Sequence, residues 1–189
     1  MQLTPGILER AYSHGLFPMP DEWGFIQWYQ PDPRAVLPLD AFHASRSLQR
    51  KLKKNVFQIT YDQDFSGVMR GCAQRTPTWI NSEFLYAYGE LHALKKAHSV
   101  EVWQNGTLVG GTYGVQLGGA FFAESKFHTV TDASKVALAK LVEHLDEKGF
   151  ELLEVQFLTA HLSQFGVIEI PHHEYLRRLK SALKKNCVF

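Results

Sequence analysis

The sequence predicts an α+β protein: one mixed sheet with flanking helices, preceded by a small N-terminal lobe. Three observations predict it. Asn105-Gly106 sits between two alternating runs, 98–103 and 108–114, and this dipeptide is the strongest short-range sign of a β-hairpin. The stretch 133–148 carries Val136, Leu138, Leu141, Val142 and Leu145 at helical spacing, between strand-like runs at 121–127 and 152–157. Residues 16–38 are rich in proline and aromatics and read as ordered loop with short strands, because aromatics at that density need something to pack on. The lobe is placed at 1–60 and the main domain at 61–189.

The elements run in order. Thr4-Pro5 opens a first helix, proline being suited to a first turn, and Gly15 stops it. Ser45 caps a helix running to Lys54, and a strand covers 57–61. Asp64 starts a helix reaching Arg75, and Asn81 caps another reaching Lys96. In the hairpin, Val100, Val102 and Leu108 are expected on one side, with Glu101, Trp103 and Thr107 on the other. Thr131-Asp132-Ala133-Ser134 starts the longest helix, which Gly149 ends. A short turn at 161–165 and an amphipathic helix over 172–184 close the chain.

Composition excludes more than it identifies. With 45% hydrophobic and 21% charged residues, the 189-residue chain reads as an ordinary globular protein with one good core. A formal net charge of +1 advertises no polyanionic partner through a global field, so any nucleic-acid surface must be a local patch. Two distant cysteines, Cys72 and Cys187, support neither a disulfide framework nor a zinc site. No run approaches the roughly 20 apolar residues of a membrane span, and the N-terminus lacks a signal-peptide core, so the expected location is the cytoplasm. The nine histidines show no metal-ligand spacing, and no P-loop or dinucleotide fingerprint occurs.

Glu124, Glu154 and Gln156 stand inside strands otherwise built of Phe, Leu and Val. Buried polar groups need partners, so an acidic and amide cluster on a sheet points to a site. Period-2 alternation puts Glu154 and Gln156 on one face. A water-facing Glu and Gln on an edge strand is the alternative for that pair.

Several short motifs occur colinearly: Ala11-Tyr12 with Gly15-Leu16-Phe17-Pro18; Trp28 with Pro31-Asp32-Pro33-Arg34-Ala35-Val36-Leu37; His43 with Ser45-Arg46-Ser47; Thr78-Trp79-Ile80; Ala97 to Trp103; Leu108 to Gly114; Glu124-Ser125; Ala133-Ser134-Lys135; Gln156; and Ile170-Pro171. Taken together the chain resembles the leucyl/phenylalanyl-tRNA–protein transferase family, from about Tyr12 to Leu183. The resemblance implies an acyltransferase-like (GNAT-like) sheet domain behind a shortened N-terminal domain. It also implies transfer of a leucyl or phenylalanyl group from charged tRNA to the N-terminal amine of proteins beginning with Arg or Lys, which marks them for degradation. The donor is already an ester, so no metal or cofactor is implied. The chain is expected to act as a monomer.

Carried over by resemblance, the catalytic residues are Glu154, Gln156 and Glu124: a carboxylate and a carboxamide on one strand, and an acid that holds an ammonium. The family more usually has Asp where Glu154 stands. Tyr12 and Trp79 match aromatics that stack near the terminal adenosine, while Met19 replaces a second tryptophan found in some members. The aminoacyl pocket maps to Thr112, Phe121, Lys126, Leu141 and Leu153. Thr112 and Lys126 stand where methionines are frequent, and Leu141 replaces an aromatic. The tRNA-binding candidates are Arg46, Arg50, Lys51, Lys53 and Lys54, crowded on one short helix, with a second basic group at 177–185.

Two rival readings stay open. One is a coenzyme A-dependent N-acyltransferase on the same fold, although the turn 127–134 lacks the glycines that cradle a pyrophosphate. The other is a non-catalytic binder of tRNA or basic N-termini.

Overall fold

The computed structural model describes residues 3–74 and 78–189. The expected α+β class is what is found: a mixed sheet with flanking helices. Seven strands run in the order β4 (Gln58–Tyr61), β5 (Ala97–Gln104), β6 (Thr107–Leu117), β7 (Ala120–His128), β8 (Leu152–Gln156), β3 (Arg34–Val36) and β9 (Ile168–Ile170). Every pairing is antiparallel except β7 with β8. A separate hairpin joins β1 (Phe17–Pro20) to β2 (Ile26–Tyr29). The main sheet thus draws β3 and all but the last residue of β4 from the stretch 1–60, while the β1–β2 hairpin stays off it.

The Asn105-Gly106 hairpin forms as expected, with Gln104 opposite Thr107 and both turn residues at positive φ, 51° and 75°. The expected facing of Leu108 does not hold. The two-residue turn, with Gln104 opposite Thr107, sets Leu108 opposite Trp103, so it packs on the other face from Val100 and Val102; the bulge follows only at Val109.

Helices cover both faces. On one, α1 (Pro5–Ser13), α3 (Phe65–Ala73), α4 (Ser82–Ala93) and α7 (His172–Ala182) bury Leu8, Val68, Phe84, Leu91 and Leu179 against Tyr113, Val115 and Phe122. On the other, α5 (Ala133–Glu147) and α2 (Arg46–Lys53) bury Val136, Leu141, Leu145 and Leu48 against Val100, Val102 and Leu153. Thr4, Ser45, Asp64 and Asn81 cap their helices through side-chain oxygens, as their types demand. The expected end of α3 at Arg75 lies outside the described residues. Asp132, by contrast, makes no capping bond; it pairs with Lys51 at 2.8 Å and Lys135 at 2.9 Å.

Two irregularities position the site. Tyr113 pairs with Ser125 and Gly114 with Ala123, so Glu124 is the extra residue of a β-bulge, a device that re-aims a side chain. Gly114 is required there, since a Cβ would lie 2.4 Å from the Phe121 ring and 2.3 Å from the Phe122 carbonyl oxygen. The parallel pairing of β7 with β8 ends at Phe122–Glu154, after which β8 runs beside β3 through Ala35–Gln156. A seam opens between the two strands.

Candidate active site

That seam is a cleft of about 190 Å³, walled by Glu124, Ser125 and Lys126 from β7, by Gln156 and Phe157 from the end of β8, and by Leu138 of α5. Its floor is apolar and its β-strand walls carry polar groups.

Glu124 is buried, and its oxygens turn toward the helices of the opposite face. Tyr12 donates to Oε1 at 2.6 Å and Tyr88 to Oε2 at 3.3 Å, and the two phenol oxygens lie 2.5 Å apart. Burial pushes the Glu124 carboxyl up to about 8; the Tyr12 hydrogen bond opposes this, the Glu154 charge adds to it, and Tyr88 and Gln156 oppose it. Burial beside the same carboxylate holds both tyrosines well above their usual range, so they stay protonated donors.

Glu154 lies behind the cleft rather than on its wall, which departs from the side-by-side arrangement expected of the pair. Its Oε1 accepts from Arg34 Nη1 at 3.1 Å and from the backbone N–H of Gln156 at 2.7 Å. Burial raises its carboxyl to about 7 despite the opposing guanidinium. Arg34 is only 1% exposed; its Nη2 donates to the Gly15 carbonyl at 2.5 Å, and its guanidinium lies over the rings of Tyr175 at 4.4 Å and Phe17 at 5.2 Å.

Gln156 has φ +67°, a sparsely populated conformation for a side-chain-bearing residue, and the Glu154 bond to its N–H holds it there. Its Nε2 is buried without a hydrogen-bond partner, yet the carboxamide stands close enough to favour a charged Glu124. Ser125 Oγ is likewise buried and unpartnered on the cleft wall. Donors left without acceptors in a cleft are what an incoming carbonyl or oxyanion would satisfy.

The remaining sequence-derived residues divide. Thr112 and Lys126 line the cleft, and Thr112 donates to the Ser125 carbonyl at 3.0 Å. Phe121, Leu141 and Leu153 do not line it: Phe121 and Leu153 pair below the seam, where the strands are still bonded, and all three fill the α5-side core. Tyr12 offers no open ring for an adenosine, because it is buried and committed to Glu124. Trp79 packs edge-on against Phe84 at 5.2 Å and is not on the cleft wall. On α2, Arg46, Arg50, Lys53 and Lys54 are exposed and without an ion pair among the described residues, whereas Lys51 is tied to Asp132. In the second basic group Arg177 and Arg178 both bind Glu174. Residue-type reasoning misses Arg34 and Tyr88; an arginine beginning the apolar run Ala35-Val36-Leu37 is the available signal for the first. No group able to hold a metal ion occurs among the described residues, and no helix there is long and apolar enough to cross a membrane.

Comparison with known proteins places this geometry. Residues 36–180 match the family model described as leucyl/phenylalanyl-tRNA protein transferase, and residues 1–32 match the N-terminal domain of the same family. A leucyl/phenylalanyl-tRNA–protein transferase of Ruegeria pomeroyi is 52% identical over 97% of this chain and 88% of its own. One of Rubrobacter xylanophilus is 50% identical over 100% of both chains. Among solved structures, FemX shares the fold with a TM-score of 0.52 at 10% identity, over 80% of this chain and 60% of that one. A ribosomal-protein-alanine N-acetyltransferase from Brucella melitensis biovar Abortus aligns over 58% of this chain and 85% of its own, with 15% identity and a TM-score of 0.43. The protein is an aminoacyltransferase. It belongs to the leucyl/phenylalanyl-tRNA protein transferase family.

Proposed function

We propose that this chain acts in the cytoplasm, as a monomer, to move a leucyl or phenylalanyl group from its tRNA to the N-terminal amine of proteins beginning with Arg or Lys. The modification marks those proteins for degradation. The observation that carries the reading is the meeting of Glu124 and Gln156 in one cleft, where β7 and β8 part.

Aminolysis of the donor ester forms a C–N bond and breaks the bond between the acyl carbon and the ribose oxygen. The attacking ammonium loses two protons in becoming an amide N–H: one is released to form the free amine, and the other ends on the leaving ribose oxygen. A carboxyl at about 8 is matched to an α-amino group, whose ordinary pKa is about 7.7–8.0, so proton transfer from the amine to Glu124 is close to balanced. Tyr12 and Tyr88 hold that carboxylate in place from below. The unpartnered Gln156 Nε2 donates to the oxygen that becomes anionic as the amine adds. Glu154 and Arg34 touch neither reactant; they hold the backbone from which Gln156 reaches the cleft. The cleft itself orients amine and ester, and proximity supplies much of the acceleration.

The test is a transfer assay with leucyl- and phenylalanyl-tRNA and peptides beginning with Arg, Lys or Leu. Ligated product is expected with the Arg and Lys peptides alone. Absence of ligated peptide from every pairing sinks the reading. Stabilisation on heating by acetyl-CoA, without stabilisation by an aminoacyl-adenosine analogue, favours a coenzyme A-dependent enzyme instead.

A further inference from the structure

We propose that Tyr12, Tyr88 and Glu124 form one proton-holding unit, in which Tyr88 is a positioning residue: together the three groups keep the proton that Glu124 takes from the acceptor ammonium. The proposal rests on the transfer reading above and gives the buried phenol of Tyr88 a role beyond holding the carboxylate in place.

Three elements converge on this unit. Tyr12 comes from α1, Tyr88 from α4 and Glu124 from the bulge of β7, and all three side chains are buried. Tyr12 Oη lies 2.6 Å from Glu124 Oε1, Tyr88 Oη lies 3.3 Å from Oε2, and the two phenol oxygens are 2.5 Å apart. The contacts close on themselves: carboxyl to Tyr12, Tyr12 to Tyr88, and Tyr88 back to the carboxyl. Packing fixes the circuit. The Tyr12 ring tilts onto Phe122 at 4.9 Å, while the Tyr88 ring stacks on Phe84 at 6.0 Å and meets Tyr113 edge-on at 5.9 Å.

The number of hydrogens decides what the circuit holds. Each hydroxyl donates one hydrogen, and burial beside Glu124 keeps both phenols protonated. With Glu124 ionised, two hydrogens must serve three contacts. Tyr12 gives its hydrogen to Oε1, so the single Tyr88 hydrogen is claimed both by Oε2 at 3.3 Å and by the Tyr12 oxygen at 2.5 Å. The longer contact lies outside the usual O–H···O range of about 2.5–3.0 Å, and Tyr12 takes the larger share. With Glu124 protonated, three hydrogens meet three contacts: Oε2 donates to Tyr88, Tyr88 to Tyr12, and Tyr12 to Oε1. Each bond then polarises the next. The circuit can also run the opposite way, so a proton on either carboxylate oxygen closes it.

The step moves one proton. An N–H bond of the ammonium breaks, its electron pair stays on nitrogen, and an O–H bond forms on Glu124. The proton returns to solvent after the product leaves. Other groups near Glu124 do not substitute for the circuit. Glu154 on β8 adds to the raised carboxyl but is tied to Arg34, and Gln156 on the same strand does not titrate. Lys126 of β7 lines the cleft, and Tyr113 of β6 meets the Tyr88 ring by its edge.

As a lone donor to the carboxylate, Tyr88 opposes the raised carboxyl. The contact between the phenols reverses that sign: removing the hydroxyl takes two bonds from the protonated form and one hydrogen from the ionised form, and it strands a buried carboxyl O–H. Tyr88→Phe fills the same space and keeps the ring contacts with Phe84 and Tyr113, and circular dichroism checks the fold.

The experiment measures the pH profile of kcat/KM for wild type and Tyr88→Phe, with leucyl-tRNA and an Arg-starting peptide. The limb at about 8 should move to lower pH, by about one unit, the size of one net hydrogen bond. A base weakened by that much should lower kcat by at most about tenfold, with KM for both substrates unchanged. A second measurement needs no activity. Glu124→Gln supplies a carboxamide that donates and accepts at once, as the protonated carboxyl does. At about pH 9, above the folded value of about 8, Tyr88→Phe should therefore lower the melting temperature more in the Glu124→Gln background than in wild type. A limb that stays in place or moves up, or equal losses in the two backgrounds, overturns the circuit and leaves the transferase reading standing. No ligated peptide from wild type itself overturns that reading and the proton-holding role with it.

Discussion

One carboxylate oxygen, Glu154 Oε1, receives both the Arg34 guanidinium at 3.1 Å and the Gln156 backbone N–H at 2.7 Å. A buried ion pair therefore sets the backbone of a residue that reaches the cleft. Each side of this junction has a measurable consequence.

Gln156→Ala removes the unpartnered cleft donor while leaving the Glu154 bond to the backbone intact. Turnover should fall about 10²–10³-fold, the usual loss for one oxyanion donor. Circular dichroism should be unchanged. Full turnover in the folded variant removes Gln156 from the chemistry.

Arg34→Met strands a buried carboxylate. Breaking such a pair from one side should cost about 3–5 kcal/mol in urea unfolding. Pairing it with Glu154→Leu should restore part of that stability, because two apolar groups replace two buried charges while the Gln156 N–H and the Gly15 carbonyl lose their partners, and activity should not return. A double variant as unstable as the single one contradicts this account of the pair.

Activity should rise with pH as Glu124 loses its proton, around its folded value of about 8. A pH profile of kcat/KM for Glu124→Gln should lack that limb and lie low throughout. An unchanged limb assigns it to another group, the amine of the acceptor included.

Stability should show the opposite trend. Both Glu124 and Glu154 are raised from an ordinary 4.5, to about 8 and about 7. The folded state therefore holds protons that the unfolded chain has released, and the slope of stability against pH is negative in that window. Their contribution is fully present below about pH 4.5 and is lost as pH climbs through 7 to 8. Unfolding at several pH values should show a shallower decline for Glu124→Gln; an identical decline would locate the effect elsewhere.

Charge reversal at Arg50 and Lys53, exposed on α2, should weaken tRNA binding and flatten its dependence on salt. Unaltered affinity and slope place the tRNA backbone on another face.

Much of the architecture is legible in the chain because it is local. Asn105-Gly106 demands positive φ at two positions, Thr4, Ser45, Asp64 and Asn81 each cap the helix that begins beside them, and the α5 stripe repeats at helical spacing. Glu124, Glu154 and Gln156 stand out for a related reason, as polar residues in strands of Phe, Leu and Val. The facing of Leu108 follows from that two-residue turn, but the bulge at Val109 beyond it is not legible, because one extra residue leaves no mark in residue types. Nor is the exclusion of Phe121, Leu141 and Leu153 from the pocket, because nothing in the chain says where β7 and β8 separate.

By itself, then, the sequence determined the turns, the caps, the helical and strand periods, and which polar residues would be costly to bury. Only the tertiary structure decided how that cost is met: Arg34 reaches Glu154 across 120 positions, and Tyr12 reaches Glu124 across 112. Propensity and capping act over a few residues, whereas the partner of a buried carboxylate is set by strand order and register, which exist only once the sheet has formed.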